Sequence, residues 1–165
     1  LDFACHQTER AKNVDKDLAS LSLLSNKDAY QLTVNFAAGF KVLTLNYPID
    51  TIIEGIKNTY KKNNTLSVEA IKQQLTRAEL AENKTNTYHF LIWRPNFQAQ
   101  YQQVSEEEYQ WLALWQSNQA QPINRQLSLG TALDKAKAYS FSIVDWLPKA
   151  IEQQLINSIS IQTSD

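Results

Sequence analysis

The sequence predicts an α+β fold: a small antiparallel sheet with a hairpin followed by three helices, preceded by helical segments. Three observations lead there. Tyr88, His89, Phe90, Leu91, Ile92 and Trp93 form a β-prone apolar run, and Arg94-Pro95-Asn96 closes it with a turn signal. Phe97, Ala99 and Tyr101 then alternate with Gln98, Gln100 and Gln102, the period of a half-buried strand. Capping residues follow at helix spacing: Ser105, Ser128, and either Ser142 or Asp145.

Taken in order, residues 1–24 read as helical, because Phe3, Ala4, Ala11, Val14, Leu18 and Leu21 recur at roughly helical spacing. In residues 32–47, Val34, Phe36, Val42, Leu43, Leu45 and Tyr47 suit one or two strands, interrupted near Gly39. Pro48 opens a helix with the stripe Ile52, Ile53, Ile56 and Tyr60, ending around Lys62-Asn63-Asn64. Residues 63–86 are a polar connector, in which Val68, Ile71, Leu75 and Leu80 suggest a short surface helix. The Asn-x-Thr patterns at Asn63 and Asn83 carry little meaning without a secretory signal.

The chain divides at this connector, with a helix–strand–helix segment over 1–62 and a hairpin plus three-helix unit over 87–165. Ser105-Glu106-Glu107-Glu108 is a capping box: the serine accepts from the amide three residues on, and Glu108 reaches back to the Ser105 amide. Its helix puts Tyr109, Leu112 and Trp115 on one side. Trp111 is off that stripe, so it either bridges elements or faces a partner. A second helix carries Leu129, Ala132, Leu133 and Ala136. The third is expected from Asp145 to Ile156, since proline deep in a helix is costly and Pro148 favours the later cap. Ile159 and Ile161 suggest a last strand.

Composition narrows the function classes. The net charge is −1 and the pI is near 6.2, whereas dedicated DNA binders often exceed a pI of about 9. The short basic cluster Lys57, Lys61 and Lys62 reads as a solvated helix end. Cys5 and His6 are adjacent, so on a helix they point about 100° apart and do not easily share a metal ion, and Cys5 with His6 or His89 is the one nucleophile–base pairing on offer. Three glycines leave no phosphate loop. Glu106, Glu107 and Glu108 are explained by the helix dipole. No catalytic residue and no cofactor of this chain is therefore expected. A lone cysteine suits a reducing compartment, so the cytoplasm is the default. No run approaches the roughly 18 apolar residues that span a bilayer. The chain begins at Leu1 and contains no methionine, so an upstream segment is expected to have been removed or left out.

A hairpin followed by three helices has two familiar uses. Winged-helix proteins set a helix in the DNA major groove, whereas peptide-recognition relatives add a ligand strand to an exposed sheet edge. The expected third helix has Lys149 as its single cation, and DNA binding needs several. A DNA-binding regulator is therefore the alternative, and peptide recognition the preferred reading.

Tyr88 to Pro95 (Tyr-His-Phe-Leu-Ile-Trp-Arg-Pro), the Gln-rich strand, the acidic helix start, Leu129-Gly130-Thr131-Ala132-Leu133 and Asp145-Trp146-Leu147 resemble the C-terminal domain of the HvfC/BufC/MbnC group. Upstream, residues 1–9 are similar to that group's linking helix with its embedded glutamate. Asn46-Tyr47-Pro48-Ile49-Asp50-Thr51-Ile52 is similar to its tyrosine–proline–aliphatic segment. The helical N-terminal domain of longer members has no counterpart here. The resemblance implies a partner, a multinuclear iron-dependent oxidase of TIM-barrel fold (MbnB/HvfB/BufB-like). That oxidase holds the iron and modifies cysteines of a ribosomally made precursor peptide, in methanobactin- or bufferin-type copper handling. The chain itself would bind the precursor's leader as an added strand, in a groove between the last hairpin strand and the third helix. The peptide-binding residues expected on this reading are Phe97, Gln98, Ala99, Gln100, Tyr101, Trp146, Ala150 and Ile151.

Overall fold

A computed structural model describes residues 1–63, 67–69, 71–73, 76, 87–118 and 126–162. It is α+β, with two small antiparallel sheets. Helix α1 (Asp2–Glu9) is followed by two 3-10 turns, Leu18–Ser22 and Ala29–Gln31, with the short α2 (Leu23–Asn26) between them. Strands β1 (Leu32–Phe36) and β2 (Ala38–Leu45) lead into α3 (Ile49–Asn63). The second half holds β3 (Tyr88–Arg94), β4 (Gln100–Val104), α4 (Glu106–Gln116), α5 (Leu129–Ala136), α6 (Ile143–Glu152) and β5 (Ile156–Ile161).

The expected helix over 1–24 is broken. It stops at Glu9 because the next residues give their polar groups to distant partners. The carbonyl of Ala11 and the side chain of Asn13 accept from Arg94, and the Val14 carbonyl accepts from Asn157. Gly39 does mark an interruption. It has φ +67° inside β2, where the pairing with β3 shifts register between Ala38 and Lys41. A Cβ there would lie 2.5 Å from the Thr8 side chain, so glycine is required by conformation and by space alike.

Sheet order places the site. β2, β3 and β4 form one sheet in that order, and β1 pairs with β5 in the other. Among the described residues β4 therefore has one strand neighbour and one open edge. Side chains alternate across β3. His89, Leu91 and Trp93 face α4 and the main core, which also takes Leu32, Val34, Val42, Trp111, Leu112, Trp115, Trp146, Leu155 and Ile156. Phe90, Ile92 and Arg94 face the other way, towards α1, whose Ala4 and Thr8 are buried.

The hairpin starts where the sequence places it, but its second strand begins at Gln100 rather than Phe97. Phe97, Gln98 and Ala99 belong to the connection, and Phe97 is 81 % exposed. The third helix also shifts. Ser142 caps it by accepting from the Asp145 amide and donates to the Asp145 carboxylate at 2.7 Å, so Pro148 lies inside the helix. The proline is tolerable because the carbonyl it cannot serve belongs to Val144, which is 78 % exposed, so water is at hand. The helix ends at Glu152, well before Ile156. Gln154 turns left-handed at φ 55° and Leu155 N–H closes back on the Ala150 carbonyl, so Ile156 begins β5 instead. Residues 68–69, 71–73 and 76 are helical, while Leu75, Leu80, Asn83 and Pro122 lie outside the described residues. Lys57, Lys61 and Lys62 are exposed near the end of α3.

Candidate functional site

The open edge of β4 borders a groove of about 540 Å³ whose far wall is α6. Gln102 and Gln103 line it from β4. Trp146 and Lys149 line it from α6 and Gln153 from that helix's C-cap, and Ser105, Glu107 and Glu108 close one end. Each wall is set locally. Ser105 accepts from the Glu108 amide and starts α4 directly after β4. Glu108 does not complete the box by reaching back. Its carboxylate accepts the Trp146 indole N–H at 3.0 Å, which ties α4 to α6. At the other end Trp93 donates its indole N–H to the Gln153 carbonyl, and Gln153 donates to the Gln102 side chain at 3.1 Å. A Trp–backbone bond and an amide pair thus set how far α6 stands from β4.

The tryptophans hold the floor. Trp111 has no exposed surface and bridges elements rather than facing a partner. It stacks on Phe141 at 5.2 Å and meets Trp115 and Trp146 edge-on at 5.6 Å each. Trp146 therefore presents one face to the core and its remaining edge to the groove.

The groove is acidic, with Glu107, Glu108 and Asp145 against Lys149. Burial pushes the Glu108 carboxyl up, while the Trp146 N–H and the Lys149 charge pull it back. A carboxyl raised in the folded state holds its proton where the unfolded chain has lost it. Its contribution is full below the ordinary glutamate range and is lost as pH rises through the folded value. Glu108→Gln keeps an oxygen for the indole and removes that titration. The variant is expected to gain stability relative to wild type as pH rises from about 4 to about 7. Urea denaturation at both ends checks this, and parallel pH profiles for the two proteins would contradict it.

Among the residues expected from sequence, Trp146 lines the groove, and Gln100 and Tyr101 lie on its edge strand. Tyr101 pairs with Ile92, so its side chain falls on the sheet face away from α6. Ala150 is 1 % exposed in the core, and Ile151 packs against that core half-buried. Phe97, Gln98 and Ala99 precede the strand, with Phe97 at a separate cavity beside Arg94. The lining residues Gln102, Gln103, Lys149 and Gln153 were not singled out by sequence. Their signal was present in the continuing Gln alternation and in the lone cation of the third helix.

The histidines sit apart from Cys5 chemistry. His6 lies 3.4 Å from Glu9 on α1. His89 is buried on β3, with Nδ1 3.0 Å from the Thr44 hydroxyl and its ring stacked on Tyr109. Its Nε2 approaches a Glu106 oxygen at 2.6 Å, without the angle of a directed hydrogen bond. These contacts join β2, β3 and α4. Burial raises the Cys5 thiol, which disfavours the reactive thiolate. Among the described residues no three His, Cys, Asp or Glu side chains group to hold a metal ion. Nor, among them, is any helix long and apolar enough to cross a membrane.

No family model, curated protein or solved structure matches the chain.

Proposed function

We propose that this protein is a non-catalytic partner subunit that binds a peptide segment as an added strand along β4. The observation that carries the reading is the open β4 edge beside a groove walled by Trp146 and α6. An edge strand offers a row of unpaired N–H and C=O groups, which give generic affinity to any extended chain. The five residues of β4 match a ligand strand of about 17 Å. Side chains of that strand on the α6 side would enter the groove and meet Trp146, which supplies selectivity. The acidic lining favours a peptide over the phosphate backbone of nucleic acid.

The identity of the peptide and of the partner rests on the sequence resemblance. On that basis the ligand is the leader of a ribosomally made precursor, presented in the cytoplasm to a multinuclear iron-dependent oxidase that modifies its cysteines. The iron belongs to the oxidase. The test is hydrogen exchange on the intact chain, with and without a ribosomally made precursor peptide of the kind the resemblance implies. Amides of residues 100–104 should slow on binding, while those of β1 and β5 stay unchanged. A complex that leaves β4 exchange untouched, or no complex with precursor and oxidase together, would overturn the reading.

A further inference from the structure

Arg94 ends β3 with 7 % of its surface exposed, and no carboxylate answers its charge among the described residues. Its Nη2 donates to the Ala11 carbonyl and, at 2.9 Å, to the Asn13 side-chain oxygen, both neutral acceptors. Among the described residues neither its buried Nε nor its Nη1 has an acceptor. A buried guanidinium is strongly disfavoured unless an anion reaches it.

Arg94 lines a cavity of about 340 Å³, shared with Asn13, Lys16, Asn96, Phe97 and Asn157. Lys16 donates to the Asn96 side chain at 3.3 Å and to Gln154, so one of its three ammonium protons is left over. Asn157 is 2 % exposed, and its Oδ1 has no donor among the described residues. Asp15 also lines the cavity. Arg94 and Lys16 against Asp15 leave one positive charge.

We propose that this cavity is a carboxylate site, with Arg94 as its anchor and Lys16 at its mouth. With both Nη2 protons already donated, Nη1 and the spare Lys16 proton can each donate to one oxygen of a carboxylate, and a single negative charge matches the single excess positive one. A phosphate dianion would overcompensate beside Asp15. The exposed Phe97 ring gives the rim an apolar contact for the carbon chain that bears the acid. The occupant is either a small free carboxylic acid or an acidic residue of a polypeptide. The site is independent of strand addition, because its lining residues lie after α1, on β2, at the end of β3 and in the turn before β4, and on β5, none of them on β4 itself.

The test is amide NMR of the full chain at constant ionic strength. One arm titrates acetate against chloride, the second a short blocked peptide carrying one Glu, and the third inorganic phosphate. Saturable shifts are expected at Asn13, Lys16, Asn96 and Phe97. Lys16→Gln, an exposed change that spares the core, should weaken binding about tenfold. Arg94→Gln should abolish it, and Arg94→Lys, which keeps the charge but not the planar guanidinium, should restore it in part. Saturation by acetate identifies a free acid as the ligand, and saturation by the peptide alone places the carboxylate on a polypeptide. Absence of saturable shifts with both, tighter binding of phosphate, or unchanged affinity in Lys16→Gln would overturn the proposal.

Discussion

Trp111→Ala is expected to cost about 3–5 kcal/mol of folding stability. Among the described residues none combines as much volume with as little exposure: Trp111 is completely buried and heads the largest fully buried side chains. Its ring is also the shared partner of Phe141, Trp115 and Trp146. Truncation would leave a cavity touching α4, the segment before α6, and α6 itself. Trp111→Phe should cost far less, about 1–2 kcal/mol, because a stacking ring remains for Phe141. It also deletes an indole N–H that has no acceptor, so no hydrogen bond is lost to offset that gain. Urea denaturation of both variants decides the matter. A loss below about 1 kcal/mol for Trp111→Ala would mean the four rings are not packed as a unit.

The ordering of those two effects also explains what sequence could and could not reveal. The apolar run ending at Trp93 and the serine caps at 105 and 128 carry local signals, and the structure forms them there. β4 starts three residues later than the alternation predicts. Alternation at Phe97, Ala99 and Tyr101 has the right period, but period alone does not say where pairing with β3 begins. Helix ends were the harder feature. Both Ser140 and Gln154 adopt φ 55°, a left-handed stop that glycine usually announces and these residues do not. Pro148 misled for a related reason, since its cost depends on whether Val144 is wet, a tertiary fact. The end of α1 is likewise decided at a distance, by Arg94 and Asn157 drawing on the residues after it. Part of the candidate site was legible: an edge strand, a third helix and Trp146. The groove between them is not, because the local pattern around Glu108 points to capping. Its bond to Trp146 spans 38 residues and leaves no local trace.

Proline substitution along β4 should separate peptide binding from folding. In an antiparallel ladder, successive residues turn their N–H groups alternately towards the neighbour strand and away from it. Gln102 and Gln103 are adjacent on β4, paired with Leu91 and Phe90. One of the two amides therefore bonds to β3 and the other points from the open edge. Proline at the inward amide removes a ladder bond and should destabilise the fold by about 3 kcal/mol. Proline at the outward amide removes no internal bond, and edge positions accept it. That second variant should keep near-native stability yet bind the precursor at least tenfold more weakly, a loss of about 1.4 kcal/mol. Melting curves identify which variant is which without prior assignment, and calorimetry with the precursor then measures affinity. If the well-folded proline variant binds as tightly as wild type, the ligand does not use the main chain of β4. Recognition would then have to reside in the side chains of α6 alone, with Trp146 and Lys149 as its contacts and Gln102 serving only to brace Gln153.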